Sequence, residues 1–155
     1  MALTPEQLDY LRRHSKLRID RESKFWLDGR LVENERVQVL FHQCLHVEES
    51  TGDLKLVVGQ QWAYIETVDD TGWFVCRVEV GSNGCMLTLA DESREPLNPS
   101  TLTMATDTDV YCVISGNRRA RFLRAALIDI APVLEETKAG IGLRVGDALY
   151  EIATE

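Results

Sequence analysis

Apolar residues in this chain recur mostly at every second position, the spacing of half-buried strands, and helical spacing is confined to a few stretches. Trp73–Val80 shows the alternation best: Phe74, Cys76, Val78 and Val80 fall on one face, Arg77 and Glu79 on the other. A turn at Ser82-Asn83-Gly84 leads to Cys85–Leu89, whose Cys85, Leu87 and Leu89 share a face. Strands are also predicted over residues 17–20, 24–27, 30–32, 62–68, 102–105 and 110–115, and over Leu54–Val58. Asp28-Gly29 between two of them is a hairpin signal. Residues 91–99, polar and holding two prolines, read as a loop, and Arg118–Phe122, after the turn Gly116-Asn117, as an edge strand.

Helix signals occur at three places. Thr4-Pro5-Glu6-Gln7 has a capping residue, a first-turn proline and a capping-box partner, and the helix it starts should end near His14. Asn34 caps a second helix, with Val37, Leu40, Phe41, Cys44 and Leu45 as its buried stripe. A third begins near Arg124, uses Leu123, Leu127, Ile130, Val133 and Leu134, kinks at Pro132 and stops at Ala139-Gly140. Residues 141–145 and 148–152, joined by Gly146-Asp147, then form a closing hairpin. The fold class is therefore α+β: a mostly antiparallel sheet with two to three helices. Each half offers a β-hairpin and one amphipathic helix, the pattern that duplication of a β-rich unit would leave. At 155 residues the chain is expected to be one compact unit, with sub-units 15–58 and 62–155 sharing a core.

Charge narrows the partners. The formal net charge of -8 repels nucleic-acid backbones and anionic membranes over long range, so nonspecific nucleic-acid binding is disfavoured while a local anion site is not. No apolar run approaches the roughly 20 residues of a membrane-spanning helix, and the first residues lack a signal-peptide layout. Cys44, Cys76, Cys85 and Cys112 form no Cys-x-x-Cys pair and sit inside apolar patterns, which points to reduced thiols and a cytoplasmic setting.

Most chemistries find no support in the residues. His42 and His46 have metal-ligand spacing, but His46 falls opposite the predicted stripe and His42 well off it, so both are expected in solvent. Gly-x-Ser-x-Gly and glycine-rich phosphate motifs do not occur. Asp69-Asp70 and Glu48-Glu49 read as solvated acidic turns outside any calcium-loop pattern. No catalytic residue, metal ligand or cofactor is assigned. Two features remain. Trp62 and Tyr64 share a strand face with Glu66 and are candidate ligand contacts. Residues 118–124 hold four of the 17 basic residues and no acid. On an extended segment Arg119 and Arg121 point the same way, Arg124 stands at a helix start, and guanidinium forks suit phosphate or carboxylate. The alternatives are a charged guard on an edge strand, or internal pairing with Asp69, Asp70, Glu79 or Asp91.

The order of motifs resembles one bacterial family, domain of unknown function 1285 (DUF1285). Trp26-Leu27-Asp28-Gly29 precedes a helix, Val68-Asp69-Asp70 precedes Trp73-Phe74, Arg121 precedes the last helix, and Gly142-Leu143-Arg144-Val145-Gly146-Asp147-Ala148-Leu149-Tyr150 closes the chain. A group of eukaryotic proteins looks similar in the last helix and hairpin. The resemblance implies a duplicated α+β core whose C-terminal half is superficially like a pleckstrin-homology fold. It implies no established enzymatic activity, a nucleotide-like or nucleic-acid-derived ligand at the junction of the halves, and a signalling role. Val58-Gly59-Gln60-Gln61 stands where the family has a Thr-Pro step, so only Asp69, Asp70, Arg121 and Gly146 carry over as site residues. The expected function is a non-catalytic ligand-binding or signalling module for a small phosphorylated or nucleotide-like anion at an arginine-rich seam. The alternatives are a protein–protein adaptor or homodimer pairing through edge strands, and a metal-dependent enzyme using Asp69 or Asp70.

Overall fold

Thr4 starts the first helix as predicted: its hydroxyl accepts from the Gln7 N–H while the Gln7 side chain accepts from the Thr4 N–H. The computed structural model describes residues 2–155, which cluster into two units, one ending at Gly72 and the other running from Trp73 to Glu155. The first unit holds α1 (Pro5–Arg13), β1 (Leu17–Ile19), β2 (Phe25–Leu27), β3 (Arg30–Leu31), α2 (Glu35–Gln43), β4 (Leu45–Val47), β5 (Leu54–Val58), β6 (Gln61–Tyr64) and β7 (Thr67–Val68). Asp28 and Gly29 both adopt positive φ, the conformation a two-residue hairpin requires. One sheet has the order β3-β2-β1-β7, with β7 parallel to β1, and a separate meander has the order β4-β5-β6. The strand expected over residues 62–68 is thus divided: β6 completes the meander, and after Ile65 the chain crosses to pair β7 with β1.

Helix α2 turns a different face inward from the one its apolar spacing predicts. Gln38 and His42 are buried, whereas Leu40 is exposed. The reason is backbone satisfaction. The Gln38 side-chain oxygen accepts from the Phe25 N–H at 2.8 Å, and its amide donates to the carbonyls of Phe25 at 3.1 Å and Val32 at 2.8 Å. His42 lies 2.7 Å from the Ser23 carbonyl and edge-on to Phe25. The expectation of a solvated histidine pair is corrected: His42 is a core residue, and His46 stands exposed on β4.

The second unit holds β8 (Trp73–Val80), β9 (Cys85–Leu89), β10 (Arg94–Pro96), β11 (Thr103–Thr106), β12 (Asp109–Ile114), β13 (Arg118–Phe122), α3 (Arg124–Ile130), β14 (Leu134–Thr137), β15 (Gly140–Val145), β16 (Ala148–Glu151) and β17 (Ala153–Thr154). Its seven-stranded sheet has the order β10-β9-β8-β13-β12-β11-β17, and β14-β15-β16 form a second sheet. One buried cluster joins Val75, Leu87, Cys112, Ala120 and Phe122 of the sheet and Leu102 just before β11 to Ala126 and Ile130 of α3 and Leu143 of β15. The fold class is α+β with mostly antiparallel sheets, as the sequence predicts, and no sheet among the described residues closes into a barrel. No helix among them is long and apolar enough to cross a membrane.

Three expectations are corrected here. The predicted loop over residues 91–99 contains β10, which pairs with β9; Pro96 is tolerated because β10 lies at the sheet edge. The third helix stops at Ile130, passes through a 3-10 turn holding Pro132, and gives way to β14, because proline cannot donate the next helical bond and the following residues pair with β15. Arg118–Phe122 is an interior strand, antiparallel to β12 and parallel to β8. Its alternate residues Ala120 and Phe122 fill the core, and backbone pairing on both sides leaves it no free edge.

Asp129 fastens α3 to β8. Its carboxylate accepts from the Arg77 guanidinium at 2.8 and 2.9 Å and from the Val78 N–H at 2.9 Å. The Arg77 bond first, then the Val78 bond, hold the Asp129 pKa down to about 2. A carboxyl lowered on folding stabilises fully above its ordinary value of 3.8, and that contribution is lost as pH falls through about 2. Asp129→Asn is expected to lower Tm at neutral pH and to flatten the acid-induced fall in Tm below about pH 4. Circular-dichroism melts across that range check it; parallel profiles for variant and parent would contradict the clamp.

Candidate functional site

The arginine segment follows from the pleat of β13. Arg119 and Arg121 share one face, opposite Ala120 and Phe122, and both meet Tyr111 of β12. Their charges are matched inside the second unit. Arg121, with its side chain 10% exposed, pairs with Asp109 at the start of β12. Burial works against the Arg121 charge, but the bonds to Asp109 and Tyr111 outweigh it and the pKa is raised. Arg119 donates to both Glu155 oxygens, at 2.9 and 2.6 Å, and its guanidinium lies 3.7 Å from the Tyr111 ring centre. Arg118 stacks on Trp73. Arg124 is exposed at the first position of α3, a helix of only seven residues. Internal pairing thus holds for Arg119 and Arg121, with Asp109 and Glu155 in place of the acids named from the sequence. Those partners are 12 and 36 residues away, which no local pattern reveals.

The aromatic pair belongs to a different arrangement in the first unit. Trp62 and Tyr64 lie on one face of β6 with rings in an edge contact, centres 5.3 Å apart. The Tyr64 hydroxyl donates to Glu48 at 2.6 Å, and that bond, together with desolvation, raises its pKa. Arg13 covers the Tyr64 ring, bonds Asp9 at 3.1 Å and lies 3.8 Å from Asp53. Arg12, one residue earlier on α1, has its guanidinium 3.9 Å from the Trp62 ring centre. Lys55 reaches the same ring from β5 and lies 3.9 Å from Glu48. Between α1 and β6 opens a cleft of about 550 Å³. Its apolar walls are Leu8, Leu11, Leu17, Leu27 and Trp62; Arg12, Ser15, Gln60 and Gln61 supply polar groups. Among the described residues no carboxylate pairs with Arg12. The Ser15 hydroxyl donates to the Tyr64 carbonyl at 2.6 Å and accepts from the Leu17 N–H at 3.1 Å. Arg12 and the leucines of the cleft were not legible as site residues, because α1 reads simply as a capped surface helix.

The acidic pair is engaged as well. Asp69 accepts from Arg18 Nε and Nη2, the latter at 2.5 Å, and this pairing lowers its pKa. Arg21 lies 3.9 Å from Asp70. Among the described residues no group of three or more His, Cys, Asp or Glu side chains is placed to hold a metal. Gly146 has φ +57° in the β15–β16 turn, and a Cβ there would stand 3.0 Å from the Ser82 carbonyl oxygen. Its demand is therefore conformational and steric. Cys112, buried on β12, has its thiol pushed up to about 12, chiefly by burial and then by Glu95, and behaves as a small apolar residue.

Two compact units, each of antiparallel-dominated sheet with short helices, define an α+β class that solved proteins share. A DUF1285 family protein from Silicibacter pomeroyi DSS-3 superposes with a TM-score of 0.69 at 19% identity, over 90% of this chain and 80% of its own. A DUF1285 family protein from Shewanella baltica OS155 superposes with a TM-score of 0.57 at 14% identity, over 73% of this chain and 87% of its own. The chain therefore has the fold of DUF1285 proteins, the fold that its motif order implies. No family model matches the chain, and none of the curated proteins is similar to it.

Removing Arg121 leaves the mostly buried Asp109 without its cation. Arg121→Ala is expected to destabilise by about 3 kcal/mol in urea melts, and the double variant Arg121→Ala/Asp109→Ala by less than the sum of the singles. A loss below about 1 kcal/mol would show that the pair does not hold the strand. Gly146→Ala is expected to lower stability by about 1 kcal/mol or more, read in the same melts, since the left-handed turn and the Ser82 carbonyl both oppose a side chain.

Proposed function

We propose that the protein is a non-catalytic binding module for a small organic anion, and that the cleft between α1 and β6 is its site. The observation that carries this reading is Arg12: a guanidinium set on Trp62 at the wall of a partly apolar cleft, with no carboxylate of the described residues to match it. A cation beside apolar walls and carboxamides favours a ligand with an apolar or aromatic body and one phosphate or carboxylate. Nucleotides and other phosphorylated metabolites have that form. The cleft groups are binders rather than reactants, since the Ser15 hydroxyl is already bonded on both sides. The arginine segment is the weaker candidate, because Arg119 and Arg121 already hold Glu155 and Asp109. Their role in this reading is to build the second unit.

The test is a thermal-shift screen of nucleotides and phosphorylated metabolites on the full chain. A true ligand at roughly a hundredfold above its Kd should stabilise by about 2.7 kcal/mol. Arg12→Ala should weaken binding at least about tenfold by removing a charged hydrogen bond, and Trp62→Ala should also weaken it. A panel that yields no stabilising compound, or one whose effect survives Arg12→Ala, overturns the proposal.

A further inference from the structure

The turn between β8 and β9 is closed at its base by a bond from the Gly81 N–H to the Gly84 carbonyl at 2.8 Å, above the pairing of Val80 with Cys85. Its tip is Ser82 and Asn83, both exposed. Neither the Asn83 carboxamide nor the Gly84 N–H bonds any group among the described residues. Gly84 has no Cβ, and one built there would meet nothing within 4 Å. An uncommitted carboxamide thus precedes an uncommitted, unshielded amide nitrogen in water, on a backbone with the freedom of glycine.

The chain's other three asparagines lack this combination. Asn34 Oδ1 accepts from the Arg36 N–H at 2.9 Å and the Val37 N–H at 3.3 Å, and Glu35 follows it. Asn98 Oδ1 accepts from the Ser100 hydroxyl at 2.7 Å and its N–H at 3.2 Å, and Pro99, which follows, has no N–H. Asn117 is followed by Arg118, whose Cβ obstructs the approach that glycine leaves open. Asp28 also precedes a glycine, but a carboxylate is a poorer electrophile than a carboxamide, and this one lies 3.4 Å from Lys16 Nζ.

We propose that Asn83-Gly84 is a self-modification site, where asparagine is converted through a cyclic imide to aspartate and isoaspartate. The Gly84 nitrogen attacks the Asn83 side-chain carbonyl carbon, and its proton passes through hydroxide to the departing amide nitrogen. One C–N bond forms, one breaks, and ammonia leaves. Water then opens the imide. Cleavage between the Gly84 nitrogen and the former side-chain carbonyl gives aspartate; cleavage at the backbone carbonyl leaves the chain running through the side chain, as isoaspartate. The net exchange is water in and ammonia out, with no oxidation or reduction. Both products place a carboxylate where a neutral group stood. Asn83 and Gly84 line a groove of about 370 Å³ together with Glu79 and Arg94, an ion pair 2.7 Å apart, so the new charge enters beside that pair. Isoaspartate also adds one atom to the backbone of a turn whose ends are fixed by the Gly81–Gly84 bond. This site is in the second unit and is independent of the cleft beside Trp62.

The experiment incubates the full chain in mildly alkaline buffer and maps its peptides by mass spectrometry. The peptide holding Asn83 should gain about one mass unit and split into two chromatographic species, while those holding Asn34, Asn98 and Asn117 stay unchanged. Gly84→Ala, which has room for its methyl group, should slow the conversion at least about tenfold. The native chain should convert within about tenfold of the chain unfolded in urea, because the turn leaves both reacting groups free. An Asn83 that is stable in the native chain but converts in urea would show that the turn protects it and would overturn the proposal. Conversion of Gly84→Ala at the parent rate, or equal conversion at all four asparagines, would overturn it as well.

Discussion

The larger sheet depends on one strand pairing, that of β13 with β12 on one side and β8 on the other. Without it the sheet would separate into β10-β9-β8 and β12-β11-β17. β13 is an unusual interior strand, because three of its five residues are arginines and one of them, Arg121, is buried. An uncompensated guanidinium in that position would cost several kcal/mol in desolvation. Asp109 removes that cost for the buried Arg121, whereas Arg119 is exposed and meets Glu155 and the Tyr111 ring at the surface. The feature that looks most like a ligand site in the sequence is thus the condition for building the second unit.

The same solution recurs wherever a helix or loop must meet a strand. Gln38 and His42 of α2 bond the backbone around β2, and Asp20 accepts from the N–H groups of Glu22 and Lys24 and from the Trp26 indole. Asp129 of α3 bonds the Val78 N–H and the Arg77 guanidinium. Gln38 and His42 meet backbone groups of Phe25 and Ser23 that would otherwise be buried without a partner. Apolar spacing alone therefore misjudges which face of α2 points inward. Its inner positions are chosen for hydrogen-bonding reach as well as for hydrophobicity.

The proposed function rests on where charge is left over after these demands are met. Arg119 and Arg121 are committed to Glu155 and Asp109, and Arg18 to Asp69. At Arg12 an aromatic ring and, among the described residues, no carboxylate meets the cation, beside a cleft of mixed polar and apolar lining. Arg118 rests on Trp73 much as Arg12 rests on Trp62, so it is the cleft beside Arg12, together with the pairing of Arg119 and Arg121, that moves the candidate anion site to the first unit. Strength of local charge in a sequence is a poor guide to a site, because matching is a property of pairs.

By itself the sequence determined the local elements whose signals are local. The Thr4 capping box, the Asp28-Gly29 hairpin, the alternation of β9 and the α+β class all depend on residues a few positions apart, and the motif order was enough to imply the DUF1285 fold; in β8 an irregularity between Val75 and Arg77 breaks the predicted alternation, burying Val75 and leaving Val80 exposed. The shared face of Arg119 and Arg121 was legible for the same reason, since it follows from the pleat of a strand. Tertiary structure alone decided that Arg118–Phe122 is interior, that the chain after Pro132 becomes β14, and that His42 is buried. It alone set Asp109 and Glu155 against the arginines and Arg12 against Trp62. Those outcomes depend on which distant backbone groups and charges meet, and a pairing between remote residues leaves no periodic trace along the chain.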